Sequence, residues 1–284
     1  MQVNLAIVEG LPSDRSVLRL AQLTAGDAEA HVDAVLCLPD PRDAIPVVGE
    51  GLSGDIVERL MQEAEEEIAK LRKNARSTYD DFLAGSQMRQ TEQPDRQSGS
   101  TVCWREVTGR PADVAPAEGR FADLIVVARA ASSQQDRGIV EAAVFGSGRP
   151  VLMAPPDPVT TIGRRVAVFW NGSTAATRAV AAALPLLHRA EQVRVLTLDE
   201  HPARDGGRPG LERYLAWHGV VAESRSIERD HRDPGDALLQ EAQNDGADLV
   251  VMGAYTHSRL RQMILGGVTT QMLERSALPV LMCH

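Results

Sequence analysis

At 284 residues, with 43% apolar and 24% charged side chains, the chain has the make-up of an ordinary soluble protein and a length at which a second core becomes expected. A formal net charge of −9 and aromatics at only 4%, with a pI near 5.3, speak against a phosphate-backbone binder or a stacking surface for single strands. No segment reaches the roughly 18 apolar residues of a membrane span, and MQVNLAIVEG lacks the basic region of a signal peptide, so neither a membrane nor a nucleic-acid partner is expected. Cys37, Cys103 and Cys283 are scattered and form no CxxC pair, which fits a reducing compartment; the cytoplasm is the expected location.

In chain order, Val3 to Val8 predicts an opening strand. Asp55 with Glu58 has the form of a capping box. Ile56, Leu60, Ala64, Ile68, Leu71, Ala75 and Phe82 then share one helical face. Glu63 to Glu67, with Lys70, Arg72 and Lys73, form the solvated side of that helix. Residues 84–100 are polar and turn-rich and predict a mobile loop. Ala122-Asp-Leu-Ile-Val-Val-Ala128 and Arg149-Pro-Val-Leu-Met-Ala154 are continuous apolar runs, as in strands buried on both faces. Both return further on, as Ala247-Asp-Leu-Val-Val-Met-Gly253 and Leu278-Pro-Val-Leu-Met-Cys283, with four more residues between them. The prolines of Pro155-Pro-Asp-Pro158 and the stretch to Gly163 predict a linker, dividing the chain into units 1–157 and 164–284.

The second unit opens with a strand at Val166–Phe169. Ser173 caps a helix carrying Ala176, Val180, Ala183 and Leu187, which Pro185 should kink or shorten. Strands at Val193–Leu198 and Val221–Ile227 follow, and Asp233-Pro234 supplies an N-cap and first residue for a helix through Leu238, Leu239 and Ala242. This alternation implies right-handed crossovers and an α/β, doubly wound, mostly parallel sheet.

Gly253-Ala-Tyr-Thr256, nine residues, then Gly266-Gly267-Val268-Thr269 begins where the strand Leu249–Met252 should end. It finishes where a helix through Met272, Leu273 and Arg275 should start. Ligands bind at this end of open α/β sheets. Glycine lets backbone approach a phosphate, and the helix start offers unbonded N–H groups. Thr269 adds a hydroxyl. His257, Ser258, Arg259 and Arg261 add donors and positive charge around the loop. The same residues also suit a glycine turn that only packs helix on sheet, and both readings stay open.

In this loop, and in its two copies of the strand pair, the chain resembles the universal stress protein family, whose pattern is G-x-x-G, nine residues, G, then Ser or Thr. The resemblance implies a Rossmann-like fold of two tandem, doubly wound, mostly parallel five-stranded sheets. It also implies a stress-response regulator whose second unit binds ATP, ADP or AMP with magnesium. Gly253 and Gly266 match the motif glycines; Thr256 stands at the second glycine and Gly267 at the Ser/Thr position, with Val268 and Thr269 continuing the match. Asn171 occupies the usual acidic position, and Leu198 ends the second strand. The alternative of the same fold is a scaffold that binds no nucleotide. Weak ATP hydrolysis is the furthest enzymatic expectation, because no base and metal-ligand set stands out; no catalytic or metal-binding residue is named.

The first unit should be blind: its loop begins at Ala128, is shorter, and has Arg137-Gly138 in place of Gly266-Gly267. His231-Arg232-Asp233 is best explained by the Asp233 cap, and Ser173 lacks the surroundings of a hydrolase nucleophile. His188, His201, His218 and His231 have no zinc spacing. His284 should be solvated and Cys283 inert packing. The apolar strands Val151–Ala154 and Val280–Cys283 should lie at sheet edges. The resemblance implies that they pair antiparallel, here within one chain as a pseudo-dimer, leaving a further homodimer open.

Overall fold

The structure is a computed structural model that describes residues 1–26, 30–45, 53–94, 99–129, 137–199, 207–228, 230–255 and 267–284. Its first half runs β1 (Val3–Val8), α1 (Asp14–Ala25), β2 (His31–Leu38), α2 (Gly54–Gly85), β3 (Arg89–Gln90), β4 (Thr101–Thr108), α3 (Pro111–Gly119), β5 (Leu124–Ala128), α4 (Arg137–Gly146) and β6 (Val151–Ala154). The second half runs β7 (Arg165–Phe169), α5 (Thr174–Leu187), β8 (Gln192–Leu198), α6 (Gly207–Trp217), β9 (Ala222–Ile227), α7 (Pro234–Asn244), β10 (Leu249–Gly253), α8 (Val268–Arg275) and β11 (Val280–Cys283).

The strands make one sheet of eleven, in the order β3-β4-β2-β1-β5-β6-β11-β10-β7-β8-β9. This corrects the expectation of two separate five-stranded sheets. The halves join because β6 and β11 pair antiparallel, Val280 opposite Met153, Leu281 opposite Leu152 and Met282 opposite Val151. The pairs flanking that seam, β5 with β6 and β10 with β11, are parallel. The strands expected at the edges of their own units therefore lie at the centre, paired antiparallel with each other within the chain as the resemblance implies. Two apolar edges left apart would each present unpaired backbone groups, and pairing them removes both liabilities.

Period-two alternation sends the side chains of this sheet into two layers. Leu152, Ala154, Val251 and Leu281 join the cluster under α1 and α5. Val151, Met153, Val250 and Met282 join the opposite cluster with Val140, Leu239 and Met272. Each layer runs unbroken through both halves.

The repeated Ala-Asp-Leu motif has a geometric purpose. Asp123 accepts hydrogen bonds from Gln2 N (2.7 Å) and Val3 N (3.1 Å), fastening the start of β1. Asp248 does the same for β7 through Arg164 N (3.2 Å) and Arg165 N (3.0 Å). The linker is held down rather than loose, since Ser16 Oγ donates to Pro155 O at 2.6 Å.

Several local expectations are corrected. The N-cap of α2 is Ser53, with no side-chain capping bond, and Asp55 lies inside the first turn, so the capping box does not form. Tyr79, absent from the predicted stripe, is fully buried, its ring tilted against that of Trp104 with centroids 4.8 Å apart. Within 84–100, β3 pairs parallel with β4 and Met88 is buried, because the chain returns to the sheet before leaving it again. Pro185 neither ends nor shortens α5, which continues to Leu187. It sits in the last turn, where a lost amide donor costs one bond only. Among the described residues no helix is long and apolar enough to cross a membrane.

Asp14 is the most heavily buried carboxylate of the turn after β1, at 1% exposure. It accepts from the amides of Glu9 (3.0 Å), Gly10 (2.8 Å) and Leu11 (3.1 Å). Burial outweighs those bonds and pushes its pKa from 3.8 up to about 6. Between these values the folded chain holds the proton more tightly than the unfolded one. Stability from this group therefore falls as pH rises through the window and is lowest above it, by at most about 3 kcal/mol. Melting temperatures of wild type and Asp14→Asn, which retains an oxygen for the amides but does not titrate, should reveal it. Wild type is expected to lose ground to the variant between pH 4 and pH 7; parallel profiles would refute the assignment.

Candidate functional site

In the second half, β7, β8 and β10 run parallel, so their carboxyl ends lie at one end of the sheet, and the chain leaving β10 meets the start of α8 through Tyr255 and Thr269. After β7, Asn171 is exposed and its Oδ1 accepts from Ser173 N at 3.1 Å, closing the turn into α5. Ser173 Oγ then accepts from Ala176 N at 3.1 Å, the cap expected of it. Asn171 thus spends its carbonyl on the turn and keeps its amide N–H groups for other uses.

Leu198 ends β8 with its side chain in the core. It borders a cleft of about 270 Å³ whose wall also includes Thr197, Asp199, Arg208, Pro209 and Ser226. Asp199 and Arg208 were absent from the expected set; Asp199 directly follows Leu198, which is the signal that points to it. A larger cleft, about 420 Å³, lies in the first half between the turn after β1 and α2, lined by Gly10, Leu11, Arg15, Asn74, Ser77 and Thr78 among others.

Gly253 closes β10. A Cβ placed on it would lie 2.4 Å from Ala176 N and 2.8 Å from Ala175 C. The glycine therefore allows α5 to settle on the strand, backbone against backbone. Thr256 and Gly266 lie outside the described residues, as do His257, Ser258, Arg259 and Arg261.

Gly267 is the N-cap of α8 and supplies no side-chain capping bond. The first bond down the helix is Gln271 N to Gly267 O at 3.2 Å. The amides of Val268, Thr269 and Thr270 precede it, in the positions where a helix start offers donors to an anion. Thr269 Oγ1 accepts from Tyr255 N at 3.3 Å and keeps its own proton to donate. Tyr255 has a positive φ of 56°, so the chain turns sharply as it leaves β10.

Tyr255 also ties this site to the first half. Its hydroxyl donates to Glu141 Oε1 at 3.0 Å, and its ring lies 4.7 Å from that of Phe145. Phe145 meets the His284 ring edge-on at 4.6 Å, and His284 Nδ1 lies 3.2 Å from Ala254 O. His284 is exposed, as expected, while its ring also packs against Phe145 beside the seam. Cys283 is buried, and burial pushes its thiol up to about 12, which leaves it protonated. Asp233 takes the N-cap position of α7, yet the oxygen that bonds the helix start is Gln271 Oε1, 2.6 Å from Gly235 N. Among the described residues no group of three or more His, Cys, Asp or Glu is placed to hold a metal ion.

In the first half, Arg129 N bonds Ala154 O at 2.8 Å, as Ala254 N bonds Cys283 O at 2.8 Å in the second. The Arg129 guanidinium then donates to Glu274 O at the end of α8. The remainder of that first-half loop, 130–136, lies outside the described residues.

Residues 163–284 match the model of the Universal stress protein family, so the second half of the chain is homologous to that family. Universal stress protein Slr1230 of Synechocystis sp. is 37% identical over 46 residues, a match that spans 16% of this chain and 16% of that protein. Likeness of fold extends over both halves. A universal stress protein from Archaeoglobus fulgidus superposes with a TM-score of 0.65 at 16% identity, over 99% of this chain and 95% of that one. A Pseudomonas aeruginosa protein described as functionally unknown, PA1789, does so with a TM-score of 0.55 at 14% identity, over 99% and 92%.

Proposed function

We propose that the chain is a universal stress protein of two tandem units, 1–157 and 164–284, acting as a stress-response regulator whose second unit binds ATP, ADP or AMP with magnesium. The observation that carries this reading is the start of α8. Its first-turn amides have no partner within the helix, and the Thr269 hydroxyl lies beside the exit of β10, in the half that matches the family. The cleft beside Leu198, at the carboxyl end of β8, supports the reading as the place assigned to the base and sugar. Occupied and empty states of the loop would then differ in order, and partners would read the difference. The proposal assigns no catalysis to the chain.

Two observations favour the second reading, a scaffold of the same fold that binds no nucleotide. Gly253 faces α5, and Asn171 Oδ1 is engaged in its own turn. Mass spectrometry of ligand released from freshly purified protein, followed by calorimetric titration with magnesium-ATP, separates the two. Under the first reading an adenine nucleotide is released, or heat is measured, and Gly266→Val abolishes it. No ligand and no heat up to millimolar nucleotide would leave the scaffold.

A further inference from the structure

The two ends of the eleven-stranded sheet are unlike each other. One ends in β3, two residues long, which pairs with Thr101 and Val102 of β4. The other ends in β9, six residues with no bulge and no proline.

The outward groups of β9 can be identified from the ladder. Ile227 pairs with Leu198, and Ile227 O accepts from Asp199 N, so Ile227 turns its backbone toward β8. By alternation Arg225 and Glu223 do too, while Ala222, Ser224 and Ser226 point their N–H and C=O groups away from the sheet. An antiparallel copy of the same strand, related by a two-fold axis at Ser224, places outward residue opposite outward residue. Ser224 meets Ser224, and Ala222 meets Ser226, so every outward group finds a partner.

The same register sets Glu223 opposite the partner's Arg225 and Arg225 opposite the partner's Glu223. These are the non-hydrogen-bonded positions, where facing side chains come closest. The side chains of Glu223 and Arg225 are 71% and 50% exposed. Glu223 already lies 3.2 Å from Arg194, and Arg225 is paired with Glu241. The seam would thus continue a row of alternating charge from one chain into the next. Ser224 Oγ is buried within its own chain without a hydrogen-bond partner among the described residues, so the pairing at Ser224 rests on its outward backbone groups. Trp217 and Val221, exposed 82% and 87%, flank the start of the strand, and the register carries Val221 to the partner's Ile227.

We propose that β9 is a homodimer interface, in which two copies of the chain join edge to edge about a two-fold axis at Ser224 into one continuous sheet. A self-complementary edge of this kind fits a second copy of the chain, because the order Glu-Ser-Arg answers itself when reversed. The inference rests on the sheet alone and stands whether or not nucleotide binds.

Sedimentation velocity on the full chain over a range of concentrations tests it. A concentration-dependent dimer is expected, and a monomer throughout would overturn the proposal. Ser224→Pro removes an outward amide while sparing the β8 ladder. It is expected to lose the dimer with its melting temperature kept; a dimer that survives it would place the interface elsewhere. Glu223→Arg and Arg225→Glu chains face like charges and should each be monomeric alone. Mixed together they are expected to associate, since each then meets its opposite; failure to associate would overturn the register even if the proline variant does not fold.

Discussion

Leu281→Asp is expected to abolish cooperative folding of the whole chain, not only of its second half. Leu281 has 0% exposure, sits opposite Leu152 across the β6–β11 seam, and faces the layer that both halves share. A carboxylate there has no partner and no water, and the cost of burying it unpaired exceeds about 4 kcal/mol. Total stability for a protein is about 5–15 kcal/mol, so most of it would be consumed. Water drawn to the charge would also part β6 from β11, exposing two apolar edges at once. Circular dichroism melting and size-exclusion chromatography check this. The expected result is a non-cooperative or strongly lowered melt with aggregation, against a near-normal melt for Leu281→Met, which conserves volume and costs less than about 1.5 kcal/mol. A wild-type melt in the aspartate variant would mean that the seam contributes little.

Gly253→Ala is expected to destabilise the protein by about 1–3 kcal/mol, the range for forcing a methyl group into a filled space. The added carbon would lie 2.4 Å from Ala176 N. What it meets is helix backbone, so no side chain can swing aside. The first turn of α5 must move off β10, and Ser173 and Asn171 would be carried with it. The decisive comparison is between denaturant midpoint and magnesium-ATP titration of the same variant. A lowered midpoint with binding retained at saturating nucleotide identifies a packing glycine. An unchanged midpoint with binding lost would return Gly253 to the ligand face.

The predicted strands show how far the repeat reaches. Ala122–Ala128 and Ala247–Gly253 are legible because a strand buried on both faces must be apolar throughout, and the observed β5 and β10 lie within them. Val3–Val8, Val166–Phe169 and Val193–Leu198 stand close to the observed bounds for the same reason. By contrast β4 carries Arg105 and Glu106 on a half-exposed strand, so its pattern is weak. The long face of α2 is legible as a helix, yet only Ile68, Ala75 and Tyr79 on it are buried, because much of its length extends beyond what covers it. In the site, the turn at Asn171 and the start of α8 are local and were expected. The direction in which Gly253 faces was not, since it depends on where α5 comes to rest.

Although α1, β2, α3, β4 and α4 were not anticipated, composition, periodicity and turn chemistry suffice for the class of the fold and for its most apolar strands. Each is decided within a few residues by what the backbone can adopt and what must leave water. The antiparallel pairing of β6 with β11 was implied by the resemblance, and only the tertiary structure decides that Tyr255 reaches Glu141 across the seam and that Gln271 rather than Asp233 bonds the start of α7. Those facts join residues more than thirty positions apart. They follow from the need of unpaired strand edges and helix ends to find partners, which no local pattern in the chain specifies.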